Sequence, residues 1–321
     1  MMRTSLAALA TALLAALPAV AHAQTNVVAT IGMIGDVART IAADCATVTT
    51  LMGPGIDPHL YQATARDVQT FGSADLILYS GYTLEGQLAD ILDRLGQRTP
   101  TLAVSEAAVP PADLLTTDDS YGVDPHVWMD VSLWARTVPV IATALTDEAP
   151  QCAEAIAERA TAYQARLLAL HDWVKESLAT IPETRRVLVT AHDAFAYFGR
   201  AYGIEVAGIQ GISTAAEASI ADIRETAGLL VERAIPAIFV ESTINRRTIE
   251  AVIDAAAQQD HAVTIGGELF ADAMGETGTP DGTYIGMIVS NARAITEALG
   301  GAPAPFPEAL VPWAAEWNLT Q

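Results

Sequence analysis

A long segment with helical periodicity lies in the middle of this chain and constrains its fold more than any other feature. Between residues 151 and 181 apolar side chains recur at spacings of three and four, at Ile156, Ala160, Tyr163, Leu167, Leu170, Val174 and Leu178. This spacing predicts one continuous helix. At about 1.5 Å per residue the helix would run on the order of 40 Å, which is long enough to join two lobes.

Alternating strand-like and helix-like segments occupy both sides of this predicted helix. The strand-like runs are 27–31, 47–51, 74–79 and 101–104 before the helix, and 187–190, 206–209, 237–240 and 262–265 after it. Such alternation is typical of βαβ units and parallel sheets. The sequence therefore predicts an α/β fold, with two (β/α)4-type lobes of mainly parallel sheet that are joined by one long rigid linker helix.

The chain divides into five expected segments. They are a signal peptide at 1–23, an N-terminal α/β lobe at 24–150, the linker helix at 151–181, a C-terminal α/β lobe at 182–301 and a C-terminal extension at 302–321. The extension has four prolines, and we expect an extended strap on the surface.

The first segment has the features of a secretory signal. Arg3 precedes an apolar stretch, and Ala21-His22-Ala23 is a small-x-small cleavage site. Because no cysteine stands directly after this site, we expect a free periplasmic protein without a lipid anchor.

The charge and the cysteine content exclude several classes of partner and site. The chain has 17 basic and 38 acidic residues and a net charge of −21, so nucleic acid and anionic membranes are poor partners. Cys45 and Cys152 are its only cysteines, which excludes a thiolate-rich zinc site of the finger type. A disulfide between them would be allowed in an oxidising compartment, but the sequence leaves open whether they are close enough to bond.

Three histidines lie where a parallel sheet would place a binding site. His59 and His126 each end an Asp-Pro-His turn, and His192 follows the predicted strand at 187–190. In open α/β sheets ligands bind beyond the carboxyl ends of the strands, and neutral imidazole is a good ligand for zinc and an acceptable one for manganese. A single loop histidine is more often solvated than a metal ligand, but the prolines make both turns rigid. His171, inside the long helix, and His261, at a strand start, lack such a setting, and we interpret both as structural.

At this point four segments together resemble one protein family. They are Leu51-Met52-Gly53-Pro54-Gly55-Ile56-Asp57-Pro58-His59, Asp124-Pro125-His126-Val127-Trp128, Val189-Thr190-Ala191-His192-Asp193-Ala194-Phe195 and Gly266-Gly267-Glu268-Leu269-Phe270-Ala271-Asp272. Their order and spacing are similar to those in the zinc/manganese-binding solute-binding proteins of bacterial metal ABC importers. The resemblance extends to about Gly300.

The resemblance implies a metal site in the cleft between the two lobes. His59 and His126 would come from the first lobe, and His192 and Asp272 from the second. Glu241, at the end of the strand at 237–240, is the competing carboxylate. We expect it to accept a hydrogen bond beside the metal rather than to bind the ion.

The metal implied by the resemblance is Zn²⁺ or Mn²⁺. A short loop at 118–123 replaces the long His- and acid-rich loop of many zinc-specific members, whereas members that favour manganese commonly have a glutamate where His192 stands. Three nitrogens and a carboxylate suit tetrahedral zinc if the aspartate binds through one oxygen, and a five-coordinate manganese site if it binds through two. The general order of metal affinities favours zinc.

The function implied by the resemblance is capture of this ion and its delivery to a cognate ABC permease in the inner membrane, by a monomer that is not an enzyme. A metal-dependent hydrolase is the main alternative, but the chain has no His-Glu-x-x-His segment and the family's site has no open position for a water. An adhesin-type surface protein is known among relatives, although no motif here encodes it. A binding protein for an organic solute would need an aromatic or Arg-lined cleft.

Overall fold

A computed structural model describes residues 24–117 and 122–319. The expected signal peptide at 1–23, residues 118–121 of the short loop at 118–123 and the last two residues lie outside the described part of the chain.

The first half contains one four-stranded parallel sheet. Its strands are β1 (Thr25–Ala29), β2 (Ala46–Thr50), β3 (Leu76–Tyr79) and β4 (Thr101–Ala103), in the order β2-β1-β3-β4. Its helices are α1 (Gly32–Ala42), α2 (Ala65–Gly72), α3 (Ala89–Leu95), α4 (Val104–Ala108), α5 (Val131–Trp134) and α6 (Thr137–Glu148). Parallel pairing brings the carboxyl ends of all four strands to one edge.

The predicted long helix is present as α7 (Ala153–Ala179), with 27 residues and no interruption. The apolar positions that predicted it are buried. It packs against α1 and α6 of the first half and against helices of the second half. One rigid element therefore supports both halves.

The second half contains four parallel strands in two hydrogen-bonded pairs. The strands are β5 (Val187–His192), β6 (Glu205–Gln210), β7 (Ala237–Glu241) and β8 (Thr264–Leu269), paired β5 with β6 and β7 with β8. The helices are α8 (Ala196–Tyr202), α9 (Ile220–Glu232), α10 (Arg247–Ala257) and α11 (Tyr284–Ala298). Strands β5 and β7 lie beside each other, so their carboxyl ends meet.

Strand β8 continues further than its sequence indicates. We predicted a strand at 262–265, but the strand runs through the two glycines at 266 and 267 to Leu269. The reason is close packing: a Cβ atom at Gly266 would lie 2.7 Å from the ring of Phe239 on the neighbouring strand. At this position glycine allows the two strands to pack closely, and it does not end strand β8.

A disulfide joins Cys45 to Cys152, with the two Cα atoms 6.1 Å apart. Cys45 lies just before β2, and Cys152 lies directly before α7. The bond, which the sequence left open, therefore attaches the first sheet to the beginning of the long helix.

The C-terminal extension packs on the long helix and is not a strap throughout. The indole Nε1 of Trp173 donates to the carbonyl of Ala304 at 2.8 Å, and the rings of Trp173 and Phe306 are 5.3 Å apart. The expectation of an extended strap is wrong for Val311–Glu316, which form helix α12. Pro312 is tolerated there because it stands in the first helical turn.

The α/β fold with parallel sheets that the sequence predicts is confirmed. The division at residues 150, 181 and 301 stays a prediction. Within the described ranges, none of the helices combines the length and the apolar character needed to cross a membrane.

Candidate metal centre

Four side chains from distant parts of the chain meet at one buried point. They are His59, His126, His192 and Asp272, and each offers a ligand atom that lies within 4.8 Å of the other three. The Nε2 atoms of His59 and His126 are 3.3 Å apart. The Oδ1 atom of Asp272 is 3.3 Å from Nε2 of His126, and its Oδ2 atom is 3.2 Å from Nε2 of His192. These are the four residues that the family resemblance implied.

The two histidines of the first half are presented by Asp-Pro-His turns. Asp57 accepts a hydrogen bond from the backbone N–H of His59 at 2.8 Å, in the loop after β2. Asp124 accepts from the backbone N–H of His126 at 2.9 Å and also contacts its Nδ1 atom at 2.8 Å. A carboxylate on Nδ1 fixes the imidazole so that Nε2 is left to face the site.

His192 is the last residue of β5, and a carboxylate on the neighbouring strand holds it. Glu241 ends β7; its Oε2 atom is 2.6 Å from Nδ1 of His192, and its Oε1 atom accepts from the backbone N–H of His192 at 2.9 Å. Because both oxygens of Glu241 face His192, Glu241 is not one of the four clustered residues.

The backbone beside Asp272 is held by two residues that the sequence did not single out. The indole Nε1 of Trp128 donates to the carbonyl of Ala271 at 2.9 Å. The side-chain amide of Asn291 bonds to both the N–H and the carbonyl of Phe270, at 2.9 and 2.7 Å. Trp128 stands two residues after His126 in one of the four segments, a position that could have drawn attention to it; nothing near Asn291 in the sequence offers a comparable signal.

Burial and neighbouring charges shift the pKa values of all four residues. Burial lowers the pKa of His59 to about 4. Burial also acts to lower the pKa of His126, but the carboxylates of Asp124 and Asp272 outweigh it and raise the value to about 9. The pKa of His192 is likewise raised well above its usual value, because Glu241 and Asp272 outweigh burial. For Asp272, burial acts to raise the pKa, but the three histidines hold it well below its usual range.

Three polar atoms of this cluster lack ordinary hydrogen bonds. Both oxygens of Asp272 and the Nε2 atom of His192 are buried without a partner that meets hydrogen-bond geometry, within the described part of the chain. Buried polar atoms are normally satisfied, because leaving them without partners costs free energy. One cation at the centre, bound by three imidazole nitrogens and a carboxylate, would satisfy them together.

The other two histidines of the described residues lie apart from this cluster. The Nδ1 atom of His171 is 3.2 Å from the hydroxyl of Tyr202, and the Nε2 atom of His261 is 2.8 Å from the carbonyl of Ile235. Each therefore has a partner on another segment of the chain, away from the cluster.

Comparisons with known proteins identify the family to which this chain is similar. The model of the family "ZnuA: zinc-uptake complex component A periplasmic" matches residues 27–298. The chain is 46% identical over 281 residues to the zinc-binding protein TroA of Treponema pallidum, covering 88% of this chain and 91% of that protein. It is 45% identical over 279 residues to the manganese-binding lipoprotein MntA of Bacillus subtilis, covering 87% and 91%. The solved structure of TroA superimposes with a TM-score of 0.84, covering 86% of this chain and 99% of that chain.

The expectation of a free periplasmic protein without a lipid anchor is wrong on these comparisons. MntA is named a lipoprotein, and so are streptococcal relatives such as ScbA of Streptococcus cristatus. The expectation was based only on the residue directly after Ala23. That local signal does not outweigh relatives that match most of the chain.

The match extends over most of the chain and over most of each relative. The relatives are binding proteins, so the prediction that this chain is not an enzyme is confirmed. This chain therefore belongs to the ZnuA family, the metal-binding substrate-binding components of ABC importers.

Proposed function

We propose that this protein captures Zn²⁺ or Mn²⁺ with His59, His126, His192 and Asp272 and delivers the ion to a cognate ABC permease. The observation that carries the proposal is the convergence of four buried ligand atoms within 4.8 Å of one another. TroA is named for zinc and MntA for manganese, and both are about equally similar to this chain.

The geometry of Asp272 supports a site that accepts either metal. Its two oxygens face different histidines, with Oδ1 toward His126 and Oδ2 toward His192. Binding through one oxygen gives the tetrahedral site that zinc prefers, and binding through both gives five donors, which manganese tolerates. Zinc binds more tightly to nearly any such site, so supply of the two metals contributes to which one is carried.

Two neighbouring carboxylates would prepare the histidines for the metal. Asp124 and Glu241 each contact the Nδ1 atom of one imidazole, at 2.8 and 2.6 Å. A carboxylate there favours the proton on Nδ1, leaves Nε2 free to coordinate and makes it a stronger ligand.

The organisation of the chain extends this proposal. Residues 24–150 and 182–301 would form the two lobes, and residues 1–23 would direct export from the cytoplasm. The Cys45–Cys152 disulfide supports export, because such bonds persist in oxidising compartments. All four proposed ligands come from one chain, which supports action as a monomer.

Metal content and competition test the proposed function. Protein isolated from its own cells should contain about one equivalent of zinc or manganese, as measured by elemental analysis. Competitive titration should then rank the two metals, and His192→Ala and Asp272→Ala should each weaken binding strongly. Wild-type protein that binds neither metal would overturn the proposal.

A further inference from the structure

The two Asp-Pro-His turns use their aspartates differently. Asp124 directs one oxygen to both the backbone and the ring of His126. Asp57 accepts from the backbone N–H of His59 with Oδ1, whereas its Oδ2 atom accepts from the hydroxyl of Thr214 at 2.5 Å. Thr214 lies in the loop between β6 and α9, in the second half of the chain. The Asp57 carboxylate therefore connects the His59 turn to the opposite half of the molecule.

The other three proposed ligands are held by buried contacts. His126 is held by Asp124, and His192 by Glu241. The backbone next to Asp272 accepts from Trp128, whose own carbonyl accepts from the hydroxyl of Tyr284 at 2.6 Å. The Trp128 and Tyr284 contacts span the two halves, and neither uses an atom that would coordinate the metal. None of these contacts uses the Nε2 atoms of the histidines or the oxygens of Asp272, so none of them depends on a bound ion.

The Asp57–Thr214 contact lies closer to the surface than the contacts that hold the other three proposed ligands. Both residues line a surface cavity of about 320 Å³, together with Leu60, Glu217, Thr243 and Asn245. Leu60, next to His59, is 49% exposed. Trp128 and Tyr284, by contrast, are fully buried. The His59 turn therefore borders this surface cavity through Asp57 and Leu60, whereas the side chains of the four proposed ligands are buried beneath it.

On the basis of the proposed function, we propose that the Asp57–Thr214 hydrogen bond is a latch that positions His59 over a preassembled set of His126, His192 and Asp272. The metal leaves the protein when this latch opens and the His59 turn moves away. Asp57 and Thr214 are positioning residues, since each acts on the metal only through His59.

The latch is tested by the rate of metal release. Thr214→Val removes the hydroxyl and keeps the shape of the side chain. We expect it to speed the release of Zn²⁺ to a chelator by about tenfold, the order expected for one hydrogen bond to a charged acceptor. The absorption spectrum of bound Co²⁺ should stay unchanged, because the coordinating atoms are the same. Thr214→Ser keeps the hydroxyl and should release Zn²⁺ at the wild-type rate. Thr214→Ala lacks the hydroxyl and should release Zn²⁺ as fast as Thr214→Val.

Thr243→Val is the matched control. Thr243 lines the same cavity, and its hydroxyl has no hydrogen-bond partner among the described residues. The Thr243→Val variant should release Zn²⁺ at a rate within about twofold of wild type, because the substitution breaks no hydrogen bond. A wild-type release rate in both Thr214→Val and Thr214→Ala, or equal acceleration in Thr243→Val, overturns the latch. Wild-type protein that fails to bind Zn²⁺, Mn²⁺ or Co²⁺ would overturn the proposed function instead, so the two failures are distinguishable.

Discussion

Among single residues, Glu241 offers the sharpest test of how the site is prepared. Glu241→Gln keeps the size of the side chain but removes the charge beside Nδ1 of His192. We expect Zn²⁺ affinity to fall by about 10–100-fold, the usual effect of mutating the partner of a ligating histidine. Competition against a chromophoric chelator would measure this change.

Glu268→Gln is the control for that substitution. Glu268 lies on β8 and pairs in register with the neighbour of Glu241, but its side chain is exposed. Its replacement should leave the affinity unchanged. Equal affinities for wild type and Glu241→Gln would show that Glu241 does not prepare His192.

The raised pKa values of His126 and His192 predict that metal binding releases protons. The pKa of His126 is about 9, so this imidazole carries a proton at pH 7.5 in the metal-free protein, whereas His59, with a pKa of about 4, does not. A metal binds only the neutral ring, so about one to two protons should leave for each Zn²⁺ bound. Affinity should accordingly fall as the pH falls below about 9.

Calorimetry in two buffers of different ionisation enthalpy counts these protons. Asp124→Asn provides the comparison, because the charge of Asp124 contributes, together with Asp272, to raising the pKa of His126 against burial. That variant should release fewer protons at pH 7.5. Binding without any proton release in the wild type would contradict the charge distribution described for the site.

The residues that the sequence could predict are those with a local signal. The histidines were found because proline turns and strand ends mark them, whereas Asp272 was selected among 38 acidic residues only by the family resemblance. Asn291 and Thr214 were missed because their roles depend on contacts with distant segments, at Phe270 and Asp57. Such contacts produce no recognisable pattern in the residues that are adjacent in the sequence.

At the scale of elements, the disulfide attaches the beginning of the long helix to the first sheet. It closes a loop across a sequence separation of 107 residues. Cys45→Ser combined with Cys152→Ser should lower the free energy of unfolding by about 2–5 kcal/mol, because the unfolded chain loses a long-range constraint. Urea denaturation would measure the loss. Zinc affinity of the folded variant should stay near that of wild type, since neither cysteine is among the clustered ligands.

Reduced wild-type protein is the control for the double variant. It should unfold at the same urea concentration as the variant, because both lack the same constraint. If the reduced protein kept the stability of the oxidised one, the disulfide would not be the source of the stabilisation.

Element types were easier to predict than element ends. The periodicity of apolar residues predicted α7 because a helix buried along one face keeps that spacing over many turns. Strand β8 was placed too early and ended too soon, since glycine usually marks a strand end while Gly266 instead serves contact with Phe239. The short helix at Val311–Glu316 was missed because its proline suggested an extended segment.

At the scale of the whole molecule, the sequence predicted two α/β halves around one helix but not the contacts between the halves. Asp36 illustrates what was missing. This buried carboxylate on α1 accepts from the hydroxyl of Tyr163 on α7 and from the backbone N–H of Tyr284 at the start of α11, each at 3.0 Å. Three elements therefore meet at one side chain, and no periodicity in the sequence encodes that meeting.

These contacts predict that the two halves move little when the metal leaves. A wide opening would break the bonds at Asp36 and the Trp128 contact with Ala271, and each buried bond lost would cost about 1–3 kcal/mol. Helix α7 also packs against both halves and resists bending. Solution scattering should therefore show nearly the same radius of gyration with and without Zn²⁺. Asp36→Ala removes one of these contacts and should increase the difference in radius of gyration between the metal-free and the Zn²⁺-bound protein. If the wild type itself showed a large difference, these buried contacts would not be what holds the halves together.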